Sequence, residues 1–438
     1  MKTSHKLIGL RWLLGILAVA LLAVAAACGD DEEAGGGGAQ QQFDGEIKIG
    51  NLADLSGPGL AASATTLSHQ VAMQSAMDEI NADGGVTVAG KKYKLVQVIV
   101  DTKSDPVQAV AGAQQLLQEG VLAVYNSTTF GGVPAYQQMK DKVITYSTNP
   151  GLTYLIDAPV EIPGGGVANN PLMFSNIDGF LPIVVGHIAM AKNVYPDIKS
   201  VGIVTTNLPI GFQLASAMEV AAKQLGLTYA GSELVPLGAT DIAPSITNMK
   251  AKNPDFVFFV TIIPSIIQTL DAALAGDLAK YYGVWTLRPI EIKKQLRDIG
   301  DSVLISPDWR LPLHDGLVPD KYKDAVERLG ELPGGEPRFT GWAISQWDWI
   351  FLLKQAIEQA NSLDVNAIAA ALRTQKYDGP FGLTEVLAKN QTTSGTTGMM
   401  VKVGDTYTVY GWTDLDSAIA DKEPLFKISA KETDVEPQ

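Results

Sequence analysis

From Glu46 onward the chain alternates short apolar runs of strand length with longer segments whose apolar residues recur every three to four positions. The first exchange pairs a strand over 47–51 with the turn Ser56-Gly57-Pro58-Gly59 and a helix over 64–81. His69, Ala72, Met73, Ala76, Met77 and Ile80 fall on one side of that helix, the i, i+3, i+4, i+7 spacing of a single buried face. Asp83, Gly84 and Gly85 stop it. Next come a strand over 93–101, a helix opened by Asp105-Pro106 with Ala109, Val110, Ala113 and Leu117 on one face, a strand over 121–125, a short helix over 133–141 and a strand over 143–146. Repeated exchange of strand and helix predicts a parallel sheet with helices on both faces, one α/β lobe.

Residues 157–171, DAPVEIPGGGVANNP, carry three prolines and three glycines and read as a loop or insertion. The alternation then restarts: helix 181–192, strand 200–205, helix 210–225, strand 228–235, helix 241–251, strand 256–261, helix 265–275, strand 281–285. A second lobe of the same class is the economical reading. The last third departs from the pattern, with helices over 321–329, 342–360 and 365–373. A β pair follows over 398–403 and 406–410, joined by the turn Gly404-Asp405. Two α/β lobes with a mixed tail imply a cleft between them, the usual place for a small ligand.

The first 27 residues have a different layout. Lys2, Lys6 and Arg11 precede an apolar run over 12–24 and the small residues Ala25, Ala26 and Ala27, the arrangement of an export signal. Cys28, the only cysteine, follows at once, so no intrachain disulfide can form. AAAC resembles a bacterial lipobox, in which the cysteine is lipidated and becomes the first residue, although Ala25 stands where Leu is more usual. A stray cysteine in a cleaved signal is the alternative. The stretch GDDEEAGGGGAQQQ that follows reads as a solvated tether. Removing residues 1–27 takes away three basic and no acidic residues, leaving 30 Lys and Arg against 47 Asp and Glu. A surface so acidic repels nucleic acid and anionic headgroups, so contact with the membrane is expected through the lipid anchor only.

Catalytic spacings are missing: there is no G-x-S-x-G, no G-x-x-x-x-G-K-S/T, no H-E-x-x-H and no C-x-x-C. The four histidines, His5, His69, His187 and His314, are too scattered to propose a metal site, and His69 reads as a hydrogen-bonded core or cleft-edge residue. Neither a cofactor nor a metal is expected. Paired carboxylates of a glycoside hydrolase carry no sequence signature, so an extracellular hydrolase stays as a third alternative.

Positive evidence lies in AVYNSTTFGGVP, where the strand over 121–125 breaks into Asn126, Ser127, Thr128, Thr129, Phe130, Gly131 and Gly132. At the carboxyl end of a parallel strand the loop faces the crevice, and the next helix begins with unpaired N–H groups that favour an anion. Ser127, Thr128 and Thr129 add uncharged donors, and the glycines admit close backbone approach. The next strand ends alike, with Ser147, Thr148 and Asn149 in VITYSTNPG. Either stretch alone reads better as an ordinary cap or turn. Two adjacent strand ends of the same chemistry point to a site.

The ordered series IKIGNLADLSGP, DEINADGGV, KLVQVIVDTKSDPVQAV, QQLLQEGVLAVYNSTTFGGVPAY, VITYSTNPG, VGIVTTNLPIGFQLASAMEVAAKQLG and NPDFVFFVTIIPSIIQTLDAALAGD resembles the type 1 periplasmic binding proteins of the branched-chain amino acid (Leu/Ile/Val-binding) group. The resemblance implies two Rossmann-like lobes with parallel central sheets, joined by a three-segment hinge, that deliver a small ligand to the membrane permease of an ABC importer. It places the ligand's carboxylate on the loops of Ser127–Thr129 and Ser147–Asn149, with Thr129 and Asn149 as the firmest correspondences. On the opposite wall the chain departs from the amino-acid binders: Ile210 precedes Gly211 where an aromatic is common, Ile262 and Ile263 stand where a tyrosine is expected, Trp285 lies near the place of the acid that pairs with the ligand ammonium, and Ala62 replaces a cleft tyrosine. Ile210, Phe212, Ile262 and Trp285 then form an apolar wall suited to an aromatic or aliphatic carboxylate. The alternatives are that Trp285 and the isoleucines are lobe core, or that an aspartate such as Asp308 reaches in.

The expected divisions are a signal peptide (1–27), lipidated Cys28 with its tether (28–43), a first lobe (44–176), a second lobe (177–308), a return to the first lobe (309–378), and a hinge return with the second-lobe tail (379–438). The expected function is a monomeric, extracytoplasmic solute-binding lipoprotein that is not an enzyme, with a ligand-sensing receptor module as the alternative.

Overall fold

The computed structural model describes residues 42–57, 60–128, 131–147, 171–175, 180–207, 209–236, 239, 241–260, 265–285, 300–306, 341–379, 382–386, 392–394, 398–404, 406–412, 418–424 and 426–431. The signal, Cys28, the tether, the helix expected over 321–329 and most of the loop 157–171 lie outside them.

The first sheet contains β1 (Gly45–Ala53), β2 (Val86–Val88), β3 (Lys91–Asp101), β4 (Ala123–Asn126), β5 (Ile144–Ser147) and β6 (Met173–Ser175), in the order β2-β3-β1-β4-β5-β6. β3, β1, β4, β5 and β6 run parallel, and β2 is antiparallel to β3. Helices α1 (Leu60–Ala82), α2 (Pro106–Gln118) and α3 (Gly132–Met139) connect them. All six residues of the apolar face read in 64–81 are buried, from His69 at 3% exposure to Met73 at zero. Asp105 caps α2 as its sequence suggests, accepting the N–H groups of Val107 and Gln108 at 2.9 and 2.8 Å.

The second sheet is built from β7 (Ser200–Thr206), β8 (Thr228–Val235), β9 (Phe256–Val260), β10 (Tyr281–Trp285) and β11 (Val303–Ser306), with the tail strands β15 (Gly398–Val403), β16 (Thr406–Trp412) and β17 (Phe426–Lys431) added antiparallel beside β11. Its parallel part runs β8-β7-β9-β10-β11, the same 2-1-3-4-5 order as β3-β1-β4-β5-β6. Alternation within β9 serves both faces. Phe256 and Phe258 pack towards α4 (Phe180–Val194) and α5 (Pro209–Gln224). Val257 and Phe259 pack towards α6 (Ala243–Ala251) and α7 (Ser265–Ala275).

Helices α8 (Gly341–Ala360) and α9 (Val365–Leu372) return to the first sheet, where Trp349, Leu353, Ile357 and Ile368 share a core with Ile49, Met73 and Tyr125. Trp349 stacks on Tyr146 with ring centroids 4.0 Å apart and planes 2° from parallel. The tail strands then rejoin the second sheet, so the chain passes between the sheets three times.

Several strands have no counterpart in the periodicity reading: β2, β6, β11, β17 and a small antiparallel sheet of β12 (Lys376–Gly379), β13 (Gly382–Val386) and β14 (Thr392–Ser394). Each spans six residues or fewer and is defined by its pairing with a neighbouring strand.

Candidate functional site

In a 2-1-3-4-5 sheet the connections leave β1 and β4 in opposite directions, opening a crevice outside their carboxyl ends. The equivalent point of the second sheet lies between β7 and β9. The candidate site is the set of loops that follow these strands, and the described residues show how the first of these edges is held.

Three loops are tied together there. The Asp101 carboxylate, at the end of β3, accepts the N–H groups of Leu55, Ser56 and Lys103 at 3.0, 3.2 and 2.8 Å and the Ser56 hydroxyl at 2.6 Å. Partial burial pushes the Asp101 carboxyl upward, but the Ser56 hydroxyl and the three N–H donors outweigh it and hold the group below the usual carboxylate value. Ser104 donates from its hydroxyl to the Ser56 carbonyl at 3.1 Å. Gly57 has φ of +95°, and a Cβ there would meet the Lys103 carbonyl oxygen at 2.0 Å, so only glycine fits where the β1 and β3 loops touch.

Beside them, Ser127 is 6% exposed, and both its N–H and its hydroxyl reach the Leu52 carbonyl at 3.0 Å. Thr128 is fully buried and its hydroxyl oxygen accepts the Gly131 N–H at 3.2 Å. Ser147 is fully buried and donates to the Asn126 carbonyl at 2.9 Å. Asn126 donates from its amide to the Gly132 carbonyl at 3.0 Å, holding the first turn of α3. The hydroxyls of Ser127, Thr128 and Ser147 thus brace neighbouring strand ends. Thr129, Thr148 and Asn149 lie outside the described residues.

On the second lobe, Trp285 ends β10 at 5% exposure inside the core, with its ring centroid 5.8 Å from His187. Ile210 is half-buried against the same core, whereas Phe212, one turn into α5, is 55% exposed. Ile262 and Asp308 lie outside the described residues. The remaining described termini at this edge are uncharged: Thr206, Val235, Val260 and Ser306. Thr205 donates from its hydroxyl to the Val260 carbonyl at 2.7 Å, joining the β7 and β9 ends.

Asp54, Asp101 and Thr102 have no counterpart among the expected site residues. VDTKSDP carries the signal that could have found two of them, Asp101 and Thr102, a third strand end rich in hydroxyl and carboxylate groups.

A family model described as periplasmic binding protein matches residues 46–406. The chain belongs to the periplasmic binding protein family. Among curated relatives, the leucine-, isoleucine-, valine-, threonine-, and alanine-binding protein of Pseudomonas aeruginosa is 26% identical over 314 residues, covering 70% of this chain and 77% of the relative. The Leu/Ile/Val-binding protein of Citrobacter freundii is 28% identical over 310 residues, 69% and 78% of the two chains. The leucine binding protein LivK of Thermotoga maritima superposes with a TM-score of 0.64 at 19% identity, covering 82% of this chain and 96% of the other. A solute binding protein of an ABC transporter from Rhodopseudomonas palustris, in complex with benzoate, superposes with a TM-score of 0.64 at 13% identity, covering 89% and 99%.

The fold is thus that of a type 1 periplasmic binding protein, two α/β lobes sharing one chain. Periplasmic binding proteins act outside the cytoplasm, bind small molecules and work with ABC-transporter permeases; they are not enzymes, and neither is this chain. Among the described residues no helix is long and apolar enough to cross a membrane, and no group of three His, Cys, Asp or Glu side chains could hold a metal ion.

Proposed function

We propose that this periplasmic binding protein is a lipoprotein anchored through Cys28 that captures a carboxylate with an apolar body between its lobes and hands it to an ABC importer. The observation that carries the ligand class is the chemistry of the two carboxyl edges. The first ends in hydroxyl and amide groups, with its described acids engaged: Asp101 by the Leu55–Ser56 loop and Asp54 by the Thr102 hydroxyl. The second ends in uncharged residues. An α-ammonium buried there would lack a free carboxylate partner among the described residues and would cost several kcal/mol, whereas a carboxylate can be held by neutral donors at a helix start. Phe212, exposed near the start of α5, supplies apolar surface on the second lobe. The relatives bracket the choice, since some are named for branched-chain amino acids and one superposing protein holds benzoate.

Calorimetry with benzoate and with leucine tests the proposal. Benzoate or a related acid is expected to bind more tightly than leucine, and tight leucine binding with none by benzoate would overturn it. Within the same reading, Thr129 and Asn149 hold the carboxylate. Thr129→Ala is expected to weaken binding by about 1 to 3 kcal/mol through an unpaired ligand oxygen, read as the change in Kd; an unchanged Kd removes Thr129 from the site.

A further inference from the structure

Thr102 lies outside both hydroxyl-rich stretches, yet it stands where the loops after β1, β3 and β4 meet. It is fully buried, as is Asp54. Its N–H donates to the Ala53 carbonyl at 2.8 Å, its hydroxyl oxygen is 3.3 Å from the same carbonyl, and the hydroxyl donates to the Asp54 carboxylate. The Thr102 hydroxyl oxygen is also 3.5 Å from that of Thr128, which in turn accepts the Gly131 N–H at 3.2 Å.

A threonine has one hydroxyl proton, and a carboxylate is the strongest acceptor within reach. The proton therefore goes to Asp54, and the Thr102 lone pairs face Thr128. The result is a buried chain, Asp54, Thr102, Thr128, Gly131 N–H, that runs from the end of β1 across the end of β3 to the start of α3. It matters because α3 has no cap of its own: Gly131 occupies the N-cap position without a side chain, and a Cβ there would lie 2.2 Å from the Ala109 Cβ of α2. The start of α3 is thus located by its neighbours.

We propose that Thr102 is a positioning residue for the ligand-binding edge: held by Asp54, its hydroxyl fixes Thr128, and Thr128 fixes the Gly131 N–H that opens α3. This rests on the binding function proposed above and adds a residue that touches no ligand. Thr102→Val keeps the shape and removes the hydroxyl; Thr102→Ser keeps the hydroxyl. In the ligand-free protein, hydrogen exchange at Gly131 is expected to rise at least tenfold in Thr102→Val and to stay near the parent rate in Thr102→Ser. Benzoate affinity, by calorimetry, is expected to fall about tenfold in the valine variant and to be retained in the serine variant, since one charge-assisted chain is lost in the first and kept in the second. Should Thr102→Val not fold, Thr102→Ala carries the same comparison.

Unchanged Gly131 exchange in Thr102→Val, or equal loss in the serine and valine variants, overturns the inference. If the parent protein binds no benzoate, the ligand class proposed above fails while the exchange measurement still decides the role of Thr102.

Discussion

Trp349→Ala is expected to destabilise the first lobe by about 3 to 5 kcal/mol, the cost of removing a large aromatic from a core that cannot collapse onto the space. Trp349 is 1% exposed, stacks on Tyr146 and lies 5.7 Å from Phe174, so its ring joins α8 to β5 and β6. The residues it joins are about 200 positions apart in sequence, and the helix carrying it follows the entire second parallel sheet. The substitution should therefore loosen the return segment from the first lobe while leaving the core between β9 and α5 intact. Urea unfolding followed by hydrogen exchange reads this directly: amides of β4, β5 and α8 should lose protection at lower urea than those of β9 and β10. A loss below about 1 kcal/mol, or equal loss in both lobes, would show that α8 is not what completes the first core.

Acidification from pH 7 to pH 5 is expected to remove about 4 kcal/mol of stability, divided between two buried histidines. His69, on α1, and His187, on α4, are 3% and 1% exposed, and burial pushes each down to about 3. His69 is held neutral beside the Tyr125 hydroxyl, 3.1 Å from its Nδ1. His187 packs against Phe258 and Trp285. In both cases the folded value lies below the unfolded value near 6.5, so the unfolded chain takes up protons first as pH falls. The stabilisation is complete above about pH 6.5 and declines towards pH 3 by about 1.4 kcal/mol per unit for each histidine. Unfolding free energies at pH 5, 6 and 7 check it, and His187→Phe should remove about half of the slope. A flat profile over this range in the parent protein would mean that both rings reach water or an acid in the folded state.

Where the fold was legible, the reason is local. The strand over 228–235, the helix over 265–275 and the strand over 281–285 have the same limits in the structure, and the Asp105-Pro106 start of α2 forms the cap its residues suggest. Alternation and 3.6-residue spacing are properties of consecutive residues, so a sequence displays them without knowing its partners. The candidate site was legible only in outline. NSTTFGG and YSTNPG mark strand ends, but the directions of Ser127 and Ser147 could not be read, because each hydroxyl is directed to a carbonyl at the end of a neighbouring strand. For Trp285 the resemblance leaves cleft wall and lobe core open, and its side chain lies in the core of the second lobe, its ring 5.8 Å from that of His187.

By itself the sequence determined that this is an α/β protein of two similar lobes and that two adjacent strands end in hydroxyl-rich stretches. Burial periodicity and turn chemistry decide such features over ten or twenty neighbouring residues. Only the tertiary structure decided that Asp54, Thr102 and Thr128, separated by 48 and 26 positions, form one chain of contacts. Strand order and register set those pairings, and they are fixed by the burial of whole sheet faces, a property of the assembled core rather than of any one segment.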